Sequence, residues 1–278
     1  MITRFAPSPT GPLHLGHAYS ALLAHDRARA VGGRFLLRID DLDQSRARVA
    51  WEEQIYDDLS WLGITWDGPV RRQSEHFADY AAALDGLTAR GLTFSCRCSR
   101  RDIETAASAP QEGVPAFGPD GRIYPGTCRD LALPDTEATS TRLDMARACA
   151  AGLPAQFTET GPAHAGLHNL TAEDLTTTVG DVVLSRRQMA GSYHLSVVLD
   201  DAATGVTHVV RGEDLFEATR IHVLLQSLLD LPTPEYHHHR LIRDEAGKRL
   251  AKRDDARAIA TYRADGASPA DIRAMVGL

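Results

Sequence analysis

The stretch PTGPLHLGHAYSALLAHD, residues 9–26, follows a short apolar run and sets His14 and His17 three positions apart where a helix begins. Before it, ITRFA (2–6) reads as a strand. After it, residues 15–31 read as a helix with Gly32-Gly33 as its stop, and RFLLRID (34–40) as a second strand. Strand, helix, strand implies a parallel pair joined by a right-handed crossover, and so an α/β sheet domain. Ligands of open sheets collect where such strands hand over to helices. Helix N-terminal amides attract anions there, glycine lets a phosphate approach the backbone, and imidazoles donate to phosphate oxygens as charge builds on them. On spacing alone, the two histidines fit an ordinary helix start equally well.

Further along, helical patterns occupy 46–62, with Trp51, Ile55, Leu59 and Leu62 on one face, and 74–90. APQEGVPAFGPDG (109–121) reads as an exposed loop. YHLSVVLDD (193–201) and VTHVVRG (206–212) read as two strands, with FEATRIHVLLQSLLDL (216–231) a helix packed against them. The 278 residues, 43% hydrophobic, can fill the core of one or two domains. No charge-free apolar run approaches the roughly 20 residues of a membrane span. MITRFAPSP lacks a signal-peptide core, so the expected location is cytoplasmic, without a membrane partner. With a net charge of −7, any polynucleotide must be held by local arginines. Arg71, Arg72, Arg97, Arg100, Arg101, Arg186 and Arg187 are the candidates. Of 30 basic residues only Lys248 and Lys252 are lysines.

FSCRCSRRD (94–102) offers Cys96 and Cys98, and YPGTCRD (124–130) offers Tyr124 and Cys128. Three thiolates and a fourth ligand suit tetrahedral zinc with sulfur contacts near ~2.3 Å; three buried apolar thiols are the alternative. Cys149, in MARACAAG (145–152), reads as a core thiol. The histidines of EYHHHR (235–240) cannot all face one ion from a strand, because side chains alternate sides. That run is expected on the approach to the nucleotide site and outside the metal set.

RFAPSPTGPLHLGH (4–17) resembles the first signature of the class I aminoacyl-tRNA synthetases, in the form written by their glutamyl branch. RLAKR (249–253) stands where that family carries its lysine loop, with Arg249 for the first lysine, Ala251 for the serine and Lys252 matching the second lysine. In a chain that otherwise writes arginine, a retained lysine supplies a compact, mobile charge for a polyphosphate; a solvated charged turn is the alternative. RIDDLD (38–43) is similar to the branch's R-I-E-D-T-D, with Asp40 where glutamate is usual, and YHLSVVLDD and HVVRGEDL (208–215) follow its pattern. The Cys-x-Cys and Tyr-x3-Cys pairs resemble the zinc module of the short members of the branch, the glutamyl-Q tRNA(Asp) synthetases.

The resemblance implies a Rossmann-type class I catalytic domain with an inserted zinc-bearing α+β subdomain and a short helical C-terminal end, divided at 1–95, 96–185 and 186–278. It implies activation of L-glutamate by ATP, with Mg²⁺, to glutamyl-adenylate, and transfer of glutamate to the queuosine base in the anticodon of tRNA(Asp). It assigns His14, His17 and Lys252 to catalysis, and Gly16 and Arg249 with them to ATP. Arg4, Phe5, Ala6, Pro7, Ser8, Asp40, Tyr193 and Arg211 fall to glutamate, and Cys96, Cys98, Tyr124 and Cys128 to one structural zinc. Side-chain chemistry agrees: arginines take carboxylates in two-pronged fashion, and Asp40 with the Tyr193 hydroxyl can accept from the ammonium group. For Arg211, a surface ion pair with Glu213 or Asp214 is the alternative. Leu278 follows Arg253 by 25 residues, room for one or two helices, and a monomer without an anticodon-reading domain is expected. A truncated synthetase charging the 3′ end of tRNA and a catalytically idle binding paralogue are the competing readings.

Overall fold

The computed structural model describes residues 1–106, 117–134, 136, 139–186, 189, 191–243 and 257–278. In chain order it contains β1 (Ile2–Phe5), α1 (Leu15–Ala30), β2 (Arg34–Ile39), α2 (Val49–Trp61), β3 (Arg71–Arg72), a 3-10 turn (Gln73–His76), α3 (Phe77–Ala89) and β4 (Thr93–Cys96). Then come α4 (Arg100–Ala106), β5 (Phe117–Gly118), β6 (Gly121–Arg122), β7 (Ser140–Leu143), α5 (Met145–Gly152), β8 (Gln156–Glu159), β9 (Gly166–Asn169) and α6 (Ala172–Asp174). A π turn (Leu175–Val179), β10 (Val183–Ser185), α7 (Tyr193–Ala203), β11 (His208–Gly212), α8 (Thr219–Leu228), β12 (Glu235–His239), α9 (Ile259–Ala264) and α10 (Pro269–Val276) complete it.

The opening stretch forms the strand–helix–strand unit its pattern predicts. β1 and β2 pair in parallel, Ile2 opposite Arg34 through Phe5 opposite Leu37, and β3 continues on the outer side of β2. β11 and β12 form a second parallel pair, His208 opposite Glu235 through Gly212 opposite His239, extended by β8. The two groups meet where β1 lies beside β11: the Thr207 N–H donates to Ile2 O at 3.0 Å. Strand order therefore reverses between β1 and β11. An open α/β sheet leaves a crevice at such a point, outside the carboxyl ends of the strands. A separate antiparallel sheet, ordered β10-β7-β4, and the β5–β6 hairpin carry the segment inserted between the two parallel groups.

One buried cluster packs α1, β1, β2 and α2 together, and Ile259, Ile272 and Val276 of α9 and α10 close it. A second cluster joins α5, α7 and α8 around Leu143, Leu184, Val198 and Leu224. α2 begins three residues later than its pattern suggests, and only part of the expected face is inside. Ile55, Leu59 and Leu62 are buried, whereas Trp51, in the first turn, keeps 36% of its surface exposed.

The principal correction concerns YHLSVVLDD, which is not a strand but the helix α7. Ser192 caps it, its side chain accepting from the Leu195 N–H. His194, Leu195, Ser196, Val197, Val198, Asp200 and Asp201 are all buried, so no polar face alternates with an apolar one. A helix buried nearly all round loses the 3.6-residue signal, and Val-Val then reads as strand.

Polar residues of α7 are inside because arginines meet them there. Asp201 accepts from Arg4 Nε at 3.1 and 3.2 Å and from Arg38 Nη1 at 2.5 Å. Asp200 accepts from Arg71 Nε at 2.8 Å, from Gln73 at 2.9 Å and from the Tyr80 hydroxyl at 2.9 Å. Burial pushes the Asp201 carboxyl up, but the charges of Arg4 and Arg38 outweigh it and hold the group below the ordinary 3.8. Removing one member of a buried ion network leaves the others uncompensated. Asp201→Ala is therefore expected to cost ~3–5 kcal/mol in urea unfolding at neutral pH, while a loss below about 1 kcal/mol would mean that Arg4 and Arg38 find other partners. The contribution of Asp201 is fully present above its ordinary pKa and is lost as pH falls through the lower folded value.

Candidate active site

The carboxyl ends of β1, β2, β11 and β12 surround a cavity of about 440 Å³. Eleven residues singled out in the sequence line it: Arg4, Phe5, Ala6, Pro7, Ser8, His14, Gly16, His17, Asp40, Tyr193 and Arg211. Arg249 and Lys252 lie outside the described residues. The flanks of their segment do meet the cavity. Leu241 and Ile242 line it, and Ala258 forms a bridge with His14 while the Ile259 N–H donates to Leu13 O at 2.9 Å.

The two histidines cap α1 with their own side chains. His14, the N-cap residue, accepts from the Gly16 N–H through Nδ1 at 3.1 Å, and His17 Nδ1 accepts from the His14 N–H at 3.2 Å. This is a capping box built from imidazoles in place of the usual hydroxyl and carboxamide. Both Nδ1 atoms are acceptors, so each neutral ring carries its donor proton on Nε2. The ring centroids lie 3.8 Å apart. Gly16 permits this packing, since a Cβ there would stand 3.0 Å from His14 Cε1.

Three arginines bring charge to the opposite wall. Arg4 is anchored by Asp201 and by Val210 O. Arg38, the first residue of RIDDLD and not singled out in the sequence, donates from Nε to Asp40 at 2.7 Å and is 3% exposed. Among the described residues its buried Nη2 has no hydrogen-bond partner. Asp40 lies beside it with its side chain 10% exposed; desolvation raises its carboxyl above the ordinary value in spite of the Arg38 charge. Arg211 donates to His238 at 3.0 Å, to His222 at 3.1 Å and to Thr219 at 2.8 Å. No carboxylate among the described residues stands within ion-pair distance of it, so a pair with Glu213 or Asp214 is not what holds it. Its guanidinium keeps its full charge toward the cavity, a setting that suits an anionic ligand. The His-His-His run lies on β12: His239 lines the cavity beside Tyr19, and His238 turns to Arg211. Arg71 and Arg72, candidates for RNA contact in the sequence, are paired with Asp200 and Glu52.

The cysteine prediction converges elsewhere, at the edge of β4. Cys96, Cys98 and Cys128 place their sulfurs within 4.8 Å of one another, with Cys98 and Cys128 3.4 Å apart. Thiolates bound to tetrahedral zinc sit ~3.8 Å apart, so this spacing fits such an ion. Tyr124 completes the group, its oxygen 3.3 Å from Cys96 Sγ and 3.5 Å from Cys98 Sγ. Burial raises the Cys98 thiol to about 11, whereas at Cys128 burial is outweighed by hydrogen bonds from Tyr124 and the Arg97 N–H, which bring it down to about 7. Cys149, buried in α5, takes no part.

Residues 1–278 match the family described as tRNA synthetases class I (E and Q), catalytic domain. The chain is 67% identical over 285 residues to a glutamyl-Q tRNA(Asp) synthetase of Rhodobacter capsulatus, covering 100% of both chains. It is 44% identical to one of Nocardia farcinica, covering 98% of this chain and 82% of that one. Its structure is similar to a glutamate tRNA ligase of Elizabethkingia meningosepticum in complex with its amino acid, with a TM-score of 0.77 and 27% identity; the match covers 99% of this chain and 60% of that ligase. A methionyl-tRNA synthetase of Mycobacterium tuberculosis shares the fold at a TM-score of 0.61 and 11% identity.

Two outcomes follow from the geometry. His14→Ala is expected to cost about 1 kcal/mol in urea unfolding through loss of the cap, and His14→Asn, which retains an acceptor, to restore it. Elemental analysis of the purified protein is expected to find about one equivalent of zinc, lost in the Cys96→Ser/Cys128→Ser variant. Metal-free protein of unchanged stability would mean that the three sulfurs are core thiols.

Proposed function

The chain belongs to the class I tRNA synthetases of the E and Q catalytic-domain family, and we propose that it activates L-glutamate with ATP and transfers it to queuosine in the anticodon of tRNA(Asp). The observation that carries this reading is the cavity itself. Two histidines with Nε2 donors, three arginines and two carboxylates, Asp40 and Asp214, converge at the ends of four parallel strands. Glutamate brings two carboxylates and one ammonium group; on this reading Arg4 and Arg211 receive the first, and Asp40 with the Tyr193 hydroxyl the second.

The substrate's α-carboxylate attacks the α-phosphate of ATP in line, forming the mixed anhydride and releasing pyrophosphate. No enzyme nucleophile is required, so the protein's part is positioning and charge stabilisation. His14 and His17 donate from Nε2 to phosphate oxygens, their rings already fixed by the cap, so little reorganisation accompanies reaction. Lys252 and Arg249 supply charge to the polyphosphate, and Mg²⁺ accompanies the nucleotide. Cys96, Cys98, Tyr124 and Cys128 would hold a structural zinc, which would tie β4 to the segment that carries Tyr124 and Cys128.

For the acceptor, the named relatives point to queuosine, and the cavities offer a route for RNA. A cavity of about 310 Å³ shares Ser8, Thr10, Asp40 and Tyr193 with the first. It shares Asp120 and Arg186 with another of about 660 Å³ beside Cys98, where Arg100, Arg122 and Arg142 also lie. Phe117, 65% exposed, is stacked under Arg122 at 4.8 Å, as a platform for an unpaired base would be. Arginines gathered at one place let an acidic chain, working in the cytoplasm, hold a short length of RNA.

Labelled glutamate and ATP supplied to queuosine-containing tRNA(Asp), queuosine-lacking tRNA(Asp) and tRNA(Glu) test the reading. Label is expected on the first alone and should survive trimming of the RNA 3′ end. Label on the 3′ adenosine of tRNA(Glu) would establish the truncated-synthetase reading instead. His14→Asn, stable by its retained cap, is expected to lose about 100-fold or more in activation because the Nε2 donor is gone.

A further inference from the structure

Arg211 is buried, and besides Thr219 and Leu215 O two imidazole rings contributed by distant elements hold it. On one side Arg211 Nε donates to His238 Nε2 at 3.0 Å. That ring's Nδ1 in turn meets Glu159 Oε2. On the other side Arg211 Nη1 lies 3.1 Å from His222 Nδ1, and His222 Nε2 lies 3.1 Å from His194 Nδ1. His194 Nε2 then reaches Asp120 Oδ1 at 3.3 Å. Only one arrangement of protons satisfies every link. Guanidinium has donors alone, so both rings must accept from it, and each then carries its single N–H on the far nitrogen. His222 is therefore the Nε2–H tautomer and His238 the Nδ1–H tautomer.

We propose that His238 with Glu159, and His222 with His194 and Asp120, are two imidazole–carboxylate arms that position Arg211 for the substrate carboxylate. The proposal rests on the reading of Arg211 as a glutamate ligand. The chemistry explains why imidazoles occupy these places. A carboxylate in direct contact, as Asp201 is for Arg4, would orient the guanidinium equally well but would offset part of its charge. A neutral ring accepts the hydrogen bond, leaves the charge in place, and donates its own N–H outward, from His238 to Glu159 directly and from His222 to His194, which in turn meets Asp120. Burial and then the Arg211 charge hold the His222 ring well below its ordinary pKa, and burial lowers His238 too, so both stay neutral. At the outer end, burial raises the Glu159 carboxyl, but the His238 ring and the backbone N–H groups of His238 and Gly161 bring it down to about 2. Gly161 makes that contact possible, because a Cβ there would fall 2.2 Å from His238 O.

The test reads tautomers and kinetics separately. Nitrogen-15 NMR of histidine-labelled wild-type protein, with rings assigned from single variants, is expected to show neutral His222 and His238 in opposite tautomers. An imidazolium at either position, or the reverse tautomers, overturns the proposal, and this measurement decides even if a leucine variant fails to fold. In ATP–pyrophosphate exchange, His238→Leu and His222→Leu are expected to raise the glutamate KM about tenfold or more, with kcat within about threefold and the ATP KM unchanged. His238→Gln, which keeps an acceptor facing Arg211, should recover most of the loss. Folded leucine variants with normal glutamate KM, beside an Arg211→Ala variant whose KM is raised, would remove the arms and leave Arg211 as ligand. Normal KM in Arg211→Ala as well would show that the pocket reading itself had failed.

Discussion

The structure turns on a pair of adjacent carboxylates inside a helix. Asp200 and Asp201 of α7 accept from Arg4, Arg38 and Arg71, which arrive from β1, β2 and β3. Charge buried at this depth is tolerated only where it is paired and hydrogen-bonded, so the three strands and the helix must assemble together. The same bonds orient Arg4 and Arg38 along the cavity wall. A chain of net charge −7 thus presents guanidinium groups at its crevice because the balancing anions lie behind them.

Across the crevice the chemistry is directional. Each of His14 and His17 spends its Nδ1 on a backbone N–H at the start of α1, which leaves the Nε2 proton as the donor. The cap that starts the helix therefore also sets the tautomer of both rings. Arg211 follows the same logic with histidines as acceptors. In both places imidazole orients a charged or polar group without adding a charge of its own.

What could be read in advance divides along physical lines. The HLGH junction, the strand–helix–strand unit around it and the clustering of Cys96, Cys98, Tyr124 and Cys128 were legible, because each depends on local spacing and narrow chemistry. α7 was not, since a helix buried on nearly every side has no amphipathic period and its Val197-Val198 pair favours a strand reading. Arg38 stood in plain view in RIDDLD, and an arginine late in an apolar strand, two positions before an acid, was the available signal. The supports of Arg211 were out of reach: Glu159, His194, His222 and His238 come from four elements, and only the packing of β8, α7, α8 and β12 brings them to one side chain.

If the crevice is matched to two carboxylates and an ammonium group, it must choose among amino acids by charge. Pyrophosphate exchange into ATP, run with L-glutamate, L-glutamine and L-aspartate, each with and without queuosine-containing tRNA(Asp), measures that choice directly. The account predicts exchange with glutamate and little with the others: glutamine leaves a guanidinium without its anion, and aspartate is one methylene too short to span the arginines. No exchange with glutamate under either condition, or equal exchange with glutamine, would contradict it.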